Sequence, residues 1–354
     1  MMLVPALDDT FSLVELQQAM RNRGMPLEAL RYDITPVGVH YLLIHFDIPA
    51  ADLSNWRLDV AGNVDRALSL SIDDLWARQA RTMPVTLECA GNGRSRMPQR
   101  AKNQPWLLEA IGTAEWTGTP LADVLEEAGV RADTIEFVFT GADHGIQNGI
   151  EQDYQRALTV AEATRPEVLL AYAMNGRPLE PQHGSPLRLL VPGWYGMTSV
   201  KWLRRSEAVT RPFDGFQQAE AYRIQYSEDD PGERVKRIKV RALMVPPGFT
   251  DFPSRHRFVD AGSVPLHGRA WCGTAQVARV EVGVDDHWHT ADLGPELGPF
   301  AWRSWSWTWP ATRGEHILSC RATDSDGNTQ PLEPFWNVQG MGNNYVQIVP
   351  VTVR

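Results

Sequence analysis

Thr86-Leu87-Glu88-Cys89-Ala90-Gly91-Asn92-Gly93-Arg94-Ser95 runs from a short apolar strand into a glycine-rich turn that sets one thiol beside a guanidinium. A neighbouring cation lowers a cysteine's pKa, and the thiolate is the form that attacks electrophiles or binds a soft metal. The alternative for a lone cysteine is a small buried hydrophobe next to a tight turn. What surrounds this stretch along the chain decides between the two.

Cys-Ala-Gly-Asn, one residue, then Arg-Ser after a strand resembles the molybdenum-ligating segment of the sulfite oxidase family, whose cysteine sulfur binds the metal of a molybdopterin cofactor. Further stretches resemble that family in the same order. They are Gly112-Thr113-Ala114-Glu115-Trp116-Thr117-Gly118, Leu121 to Leu125, Leu169 to Gly176, His183-Gly184-Ser185-Pro186-Leu187-Arg188, Val191-Pro192-Gly193 and Val200-Lys201-Trp202. The likeness extends from about Tyr41 to the C-terminus. It implies an α+β protein: a mixed α/β molybdopterin-binding domain followed by an all-β immunoglobulin-like sandwich used for dimerisation.

The 354 residues suffice for about two domains, and 43% apolar with 22% charged residues is ordinary for a globular protein. A net charge of -9 argues against a nucleic-acid partner, since phosphate binding needs a basic surface. An anionic substrate therefore requires a local basic pocket. The start, Met1 to Asp9, lacks a basic and then apolar leader, and no apolar run reaches membrane-spanning length. The expected location is cytoplasmic, or periplasmic if an export signal has been removed, in a bacterial protein. Three cysteines make no disulfide framework, and Cys272 with Cys320 reads as two buried thiols rather than a bridge.

Residues 1–40 form an N-terminal helical extension in which Leu13, Val14, Leu16 and Met20 have helical spacing behind a Thr10 or Ser12 cap, which predicts a packing helix. Residues 41–220 mix short strands and helices. Among them are an extended Trp56 to Ala61, a capped helix opened by Ser71-Ile72-Asp73-Asp74, and a helix with Pro120 at its first position and Gly129 at its stop. Residues 221–354 turn to two-residue alternation at Val235 to Val240, Val277 to Val282 and Trp305 to Trp309, which predicts an antiparallel sandwich. The boundary falls in Pro212 to Gly232, where Pro, Gly and Glu228-Asp229-Asp230 gather. Trp305, Trp307 and Trp309 share one strand face and read as core or dimer interface.

By resemblance, Cys89 is the metal ligand and Arg94 faces the arriving anion. His183, Arg188, Ser199 and Lys201 match cofactor contacts, Ser199 and Lys201 at the pterin phosphate. His45 matches the histidine of an Arg-Asn-His segment. Asp143 falls at a pterin-binding carboxylate, although Gly-x-Asp also makes ordinary turns. Trp106, ten residues before Trp116, matches a substrate-pocket tryptophan, and Tyr222 is the candidate active-site tyrosine, with a packing role as its alternative. The implied activity is oxidation of sulfite to sulfate by oxygen-atom transfer at a cysteine-ligated molybdenum centre. Cationic side chains position the anion, and electrons leave to an external acceptor such as a cytochrome c. A homodimer is also implied. No haem-attachment, flavin or nicotinamide fingerprint is present, so no haem is expected.

The chain departs from the family in two places. Leu43 and Ile44 stand where the family has Arg and Asn before His45, and Gln276, in Trp271-Cys272-Gly273-Thr274-Ala275-Gln276, stands at the place of an arginine. Each lost charge-assisted bond weakens hold on a dianion by about 1–3 kcal/mol, which makes a sulfoxide the competing substrate. A hydrolase with Cys89 as nucleophile and His183 as base, and a metal-free binding protein built on the sandwich, are the readings outside redox chemistry. Asp324 to Asn328 lacks the acidic twelfth position of a calcium loop, and His287 and His289 lack a third zinc ligand.

Overall fold

Alternating apolar residues separated by Gly, Pro and Asp turns fold into strands because every second side chain can then be buried on one face. The computed structural model of the protein describes residues 12–98, 103–227 and 229–354. In the first part of the chain the strands are β1 (Leu58–Gly62), β2 (Leu68–Leu70), β3 (Arg81–Glu88), β4 (Ile111–Pro120), β5 (Glu136–Gln147), β6 (Ile150–Thr159), β7 (Leu169–Met174), β8 (Arg177–Pro178), β9 (Arg188–Leu190) and β10 (Leu203–Val209). Four α-helices stand among them in the described residues, α1 (Leu13–Arg21), α2 (Ile72–Trp76), α3 (Leu121–Ala128) and α4 (Val160–Ala163). The later strands are β11 (Arg223–Ile224), β12 (Glu233–Arg234), β13 (Arg241–Met244), β14 (Phe249–Thr250), β15 (Arg257–Val259), β16 (Gly262–Trp271), β17 (Val277–Val284), β18 (His287–Thr290), β19 (Asp292–Leu293), β20 (Arg303–Ala311), β21 (Gly314–Asp324) and β22 (Gln347–Val353).

The first part carries a sheet ordered β2-β1-β10-β5-β6, with β1 and β10 parallel, and a second ordered β3-β4-β7-β8, with β9 added beside β7. Leu58, Val60, Phe137 and Phe139 of the first sheet bury against Leu75 of α2 and Val124 and Leu125 of α3. The later part carries sheets ordered β13-β16-β20-β19 and β14-β15-β22-β21-β17-β18. They face each other across one core, with Leu266, Trp305 and Trp309 on one side and Val280, Val282, Leu318 and Val351 on the other. Trp305 and Trp309 are thus core, as their shared face predicts, and Trp307 is partly buried beside His289 of the edge strand β18, its ring stacked at 4.6 Å.

A further cluster, with Leu30, Ala90, Tyr195, Tyr222, Ile238, Trp271 and Trp302 among its members, lies where the two parts meet. Polar bonds tie the same seam. Glu88 Oε1 accepts from Arg241 Nη1 at 2.7 Å, Trp271 Nε1 donates to Glu88 Oε2 at 2.8 Å, and both charged side chains are almost completely buried. Arg241 Nη1 also reaches the Asn343 carbonyl at 3.0 Å, while Gly342 N donates to the Ala90 carbonyl at 2.7 Å. The segment before β1 is threaded into the seam, with Arg269 Nε on the Leu30 carbonyl at 2.7 Å and Trp302 Nε1 on the Asp33 carbonyl at 2.7 Å.

Several local expectations are met, and several are corrected. Ser71 and Asp74 form the reciprocal cap of α2, and Gly129, at φ +70°, ends α3. Pro120 is the last residue of β4 and stands at the cap of α3, one place before the first helical position. Ser12 caps α1 together with Glu15; Thr10 lies outside the described residues. The stripe on α1 does not pack: Leu13 is 71% exposed and Met20 89%, whereas Glu15 is 3% exposed. Polar anchors at its end orient the helix, with Asn22 Nδ2 on Gln104 Oε1 at 3.1 Å and Ile44 N on Asn22 Oδ1 at 2.6 Å. Val235 to Val240 is a connector rather than a strand. Val235 and Ile238 are both buried three residues apart, which breaks a period of two, and their amides go to the Tyr222 and Gly193 carbonyls. All three cysteines are free thiols, with Cys320 buried as expected and Cys272 only partly buried.

A buried ion pair is costly to break because the abandoned charge stays desolvated. Arg241→Ala is expected to lower stability by about 3–5 kcal/mol in urea titrations, and adding Glu88→Gln to recover part of that loss by removing the stranded carboxylate. A loss near zero in the single variant overturns this account of the seam.

Candidate active site

β3 delivers Cys89 directly after Glu88, and backbone bonds close the turn behind it. Cys89 N donates to the Ala110 carbonyl at 2.9 Å, Asn92 N to the Cys89 carbonyl at 3.0 Å, and Arg94 N to the Gly91 carbonyl at 3.1 Å. Asn92 braces the inside, giving Nδ2 to Glu88 Oε1 at 3.0 Å and accepting from Ala110 N at 3.1 Å. Two glycines are required here. Gly93 has φ +92°, and a Cβ on Gly91 would sit 2.5 Å from the Arg94 guanidinium.

Cys89, Leu43 and His45 line two cavities at once, and all ten sequence-predicted site residues face one or the other. The inner cavity carries Asp143, His183, Arg188, Ser199 and Lys201; the outer carries Arg94, Trp106 and Tyr222. The thiol stands at their junction.

Inner residues are held by backbone oxygens. Arg188, on β9, gives Nη1 to the His183 carbonyl at 3.1 Å and Nη2 to the Ser199 carbonyl at 3.0 Å, and lies 4.8 Å over the Trp116 ring. Lys201 Nζ donates to the Leu43 carbonyl at 2.8 Å and the Gln182 carbonyl at 3.1 Å. Neither cation forms an ion pair with a carboxylate among the described residues. Ser199 Oγ accepts from Val191 N at 3.1 Å. Asp143 lies within an irregularity of the β5–β6 pairing, between Thr140 and His144, and its Oδ1 is buried without a partner, as are His183 Nε2 and Arg188 Nε. Burial drives the titrations. It lowers Lys201 to about 7 and His183 to about 2, raises Asp143 to about 6, and leaves Arg188 at about 10. Unpaired buried cations and orphaned donor and acceptor atoms fit an anion with several hydrogen-bonding edges, because such a ligand satisfies both at once.

In the outer cavity Arg94 is buried, with Nε 3.5 Å from the Gly340 carbonyl and Nη1 3.4 Å from that of Gln104. Tyr222 follows a π-helical turn (Gln217–Ala221), and its hydroxyl shares a 2.7 Å hydrogen bond with His45 Nε2. Burial and the charges of Lys201 and Arg156 lower His45 to about 3, so its ring is neutral at physiological pH. Amides supply much of the remaining lining, among them Gln18, Asn22, Gln104, Gln147 and Gln339.

Three sequence expectations change. The Cys89 thiol is raised in pKa, because burial outweighs the adjacent Arg94. Gln276 faces neither cavity and instead pairs with Ser325, its carbonyl accepting from Ser325 N at 2.8 Å. His183 Nε2 is unpartnered and no hydrogen bond joins the His183 ring to Cys89 among the described residues, so the nucleophile–base pair of a hydrolase is not seen. Sequence reading missed Tyr41 and Tyr154, which line the inner cavity, and the buried Arg156 beside Tyr222. Tyr154 and Arg156 alternate on β6 with the buried Leu158, and that inward register was the available signal.

Residues 45–217 match the family described as oxidoreductase molybdopterin binding domain, and 235–354 match the Mo-co oxidoreductase dimerisation domain. Mitochondrial sulfite oxidase of Mus musculus is 35% identical over 346 residues, covering 90% of this chain and 62% of that protein. A nitrate reductase [NADH] of Brassica napus is 30% identical over 356 residues, covering 91% of this chain and 39% of that protein. The chain thus spans under two thirds of these relatives' own length. The crystal structure of the sulfane dehydrogenase SoxCD from Paracoccus pantotrophus superposes with TM-score 0.80 at 24% identity, over 100% of this chain and 95% of that one, and shares the fold.

Lys201 provides a pH test in ligand-free protein. An unfolded lysine titrates near 10.4, so between about 7 and that value the unfolded state binds a proton that the folded state does not. Stability is therefore expected to rise with pH through this window, by about 1–3 kcal/mol, relative to Lys201→Met. Thermal unfolding of both proteins from pH 7 to 10 checks it, and parallel curves overturn the assignment.

Proposed function

We propose, for a chain that belongs to the sulfite oxidase family of molybdopterin-dependent oxidoreductases, that it oxidises sulfite to sulfate and passes the electrons to an external carrier such as a cytochrome c. One observation carries this: Cys89 separates an inner cavity of unpaired cations and orphaned polar atoms from an outer chamber holding a buried arginine. The two-sheet later part is read as an immunoglobulin-like unit joining two copies into a homodimer.

The cofactor is molybdopterin, and the inner cavity fits it. Arg188 and Lys201 are available for its phosphate, His183 Nε2 and Asp143 Oδ1 for its polar edges, and Cys89 Sγ for its metal. When bound, it supplies two-electron oxygen-atom transfer. The protein's share is placement and field. Arg94 holds an oxyanion against the thiol side of the chamber, where low dielectric strengthens the attraction. The Tyr222 hydroxyl, fixed by neutral His45, offers a second polar contact, and Trp106 supplies an apolar wall. Ligand binding relieves the cost of burying Arg188 and Lys201 unpaired, so loading also stabilises the fold.

Leu43 and the amide lining favour a second reading, a less charged oxygenated substrate such as a sulfoxide. Relative turnover of sulfite and of a dialkyl sulfoxide by the same preparation separates the two.

Protein from a host able to make molybdopterin is expected to carry about one molybdenum per chain by plasma mass spectrometry, since a single cysteine ligand faces the cavity junction. Cys89→Ser should remain folded and lose nearly all turnover. A molybdenum ratio near zero in folded protein, or unchanged turnover in the variant, overturns the proposal.

A further inference from the structure

Arg156 is a buried charge for which neither the cofactor cavity nor the seam accounts. It lies inward on β6, 2% exposed, and its Nη1 donates to the carbonyl of Gln217, the first residue of the π-helical turn. Its guanidinium carbon is 5.3 Å from the centroid of the Tyr222 ring, and its Nε has no partner. Among the described residues no carboxylate pairs with it, burial lowers its own pKa, and the Tyr154 and Tyr222 phenols beside it are raised by burial and stay neutral. A guanidinium buried in this way is costly unless something negative comes to share its field.

The position points to what that is. Tyr222 stands between Arg156, behind its ring, and the outer chamber in front, where Arg94 is the other nearby cation. The π-helical turn that presents Tyr222 is tied to β6 by Arg156 and by the Ala157 N to Gln218 Oε1 bond of 3.0 Å. Single π turns are rare and frequently found at functional sites. Leu43 brings no charge to the chamber wall, where Arg94 is the cation that lines it, and Arg156 adds positive field from the direction of Tyr222.

We propose that Arg156 is a positioning and specificity-determining residue of the outer chamber: from behind Tyr222 it fixes the turn carrying that hydroxyl and supplies the second positive charge that an oxyanion substrate needs. The inference rests on the sulfite reading. Arg156 does not touch the substrate and acts through Tyr222 and through space. Coulomb attraction from a buried charge that is near but not in contact, at an effective dielectric near 20, is of a size to change oxyanion affinity about tenfold or somewhat more.

Sulfate, the product anion, reports on this charge without turnover. Its binding to molybdenum-loaded enzyme is measured by titration calorimetry beside steady-state kinetics with sulfite, for wild type, Arg156→Gln, Arg156→Lys and Arg94→Gln. Arg156→Gln is expected to weaken sulfate about tenfold and to raise KM for sulfite by a similar factor. Arg156→Lys, which keeps the charge and loses the planar fork, should bind sulfate within about threefold of wild type while kcat falls. Wild-type sulfate affinity in Arg156→Gln overturns the proposal. Equal weakening in the Gln and Lys variants also overturns it, because a packing defect does not distinguish charge. Should Arg156→Gln fail to fold, the Lys variant decides alone: retained sulfate affinity with reduced kcat supports the role, and collapsed affinity refutes it. If Arg94→Gln also binds sulfate as wild type does, the oxyanion reading has failed and this inference falls with it.

Discussion

The buried contact between Glu88 and Arg241 is the constraint on which the site depends. Glu88 is the residue before Cys89, so whatever fixes its carboxylate fixes the thiol to within one peptide unit. Arg241, Trp271 and Asn92 occupy both carboxylate oxygens, and two of the three come from the later strands. Such a pair contributes little net stability over an apolar replacement, because desolvation offsets most of the attraction. Its effect is geometric. It admits one mutual arrangement of the two parts, and in that arrangement the turn from Cys89 to Arg94 is rigid.

A rigid turn at the junction of two cavities separates two electrostatic tasks. On the inner side, Arg188 and Lys201 rest on carbonyl oxygens, which satisfy hydrogen-bond geometry without neutralising charge. Burial therefore pushes Lys201 down to about 7 and keeps His183 neutral, while Asp143 is pushed up to about 6. These shifts describe a cavity prepared for an anion, in which part of the binding energy goes to relieving stored repulsion. On the outer side, charge is sparse and amides predominate, with Arg94 in the wall and Arg156 behind Tyr222. The thiol lies in both environments, and its own pKa is governed by exclusion of water more than by the guanidinium beside it.

Much of this was legible in the chain. The period-two runs of β17 and β20, the capping box of α2 and the glycine stop of α3 are local rules, decided within a few residues, and each took the form its sequence signalled. Where a rule depended on what lies opposite, the sequence misled. The α1 stripe has helical spacing, yet the helix is oriented by Asn22 and its cap, so Leu13 and Met20 face outward and Glu15 inward. Val235 to Val240 alternates on paper, but its amides find partners on Gly193 and Tyr222 instead of a neighbouring strand.

The sequence by itself determined the cysteine turn, the order of the motifs around it and ten of the residues facing the two cavities, because each is written in short runs whose backbone requirements are local. Only the tertiary structure decided that those residues divide into two cavities with Cys89 between them. It also decided that Gln276 stands apart, that Tyr154 joins the inner cavity from β6 and that Arg156 is buried behind Tyr222. Those outcomes depend on contacts between residues 60 to 250 positions apart, such as Arg156 with Gln217 and Arg94 with Gly340, and on burial that no local pattern encodes.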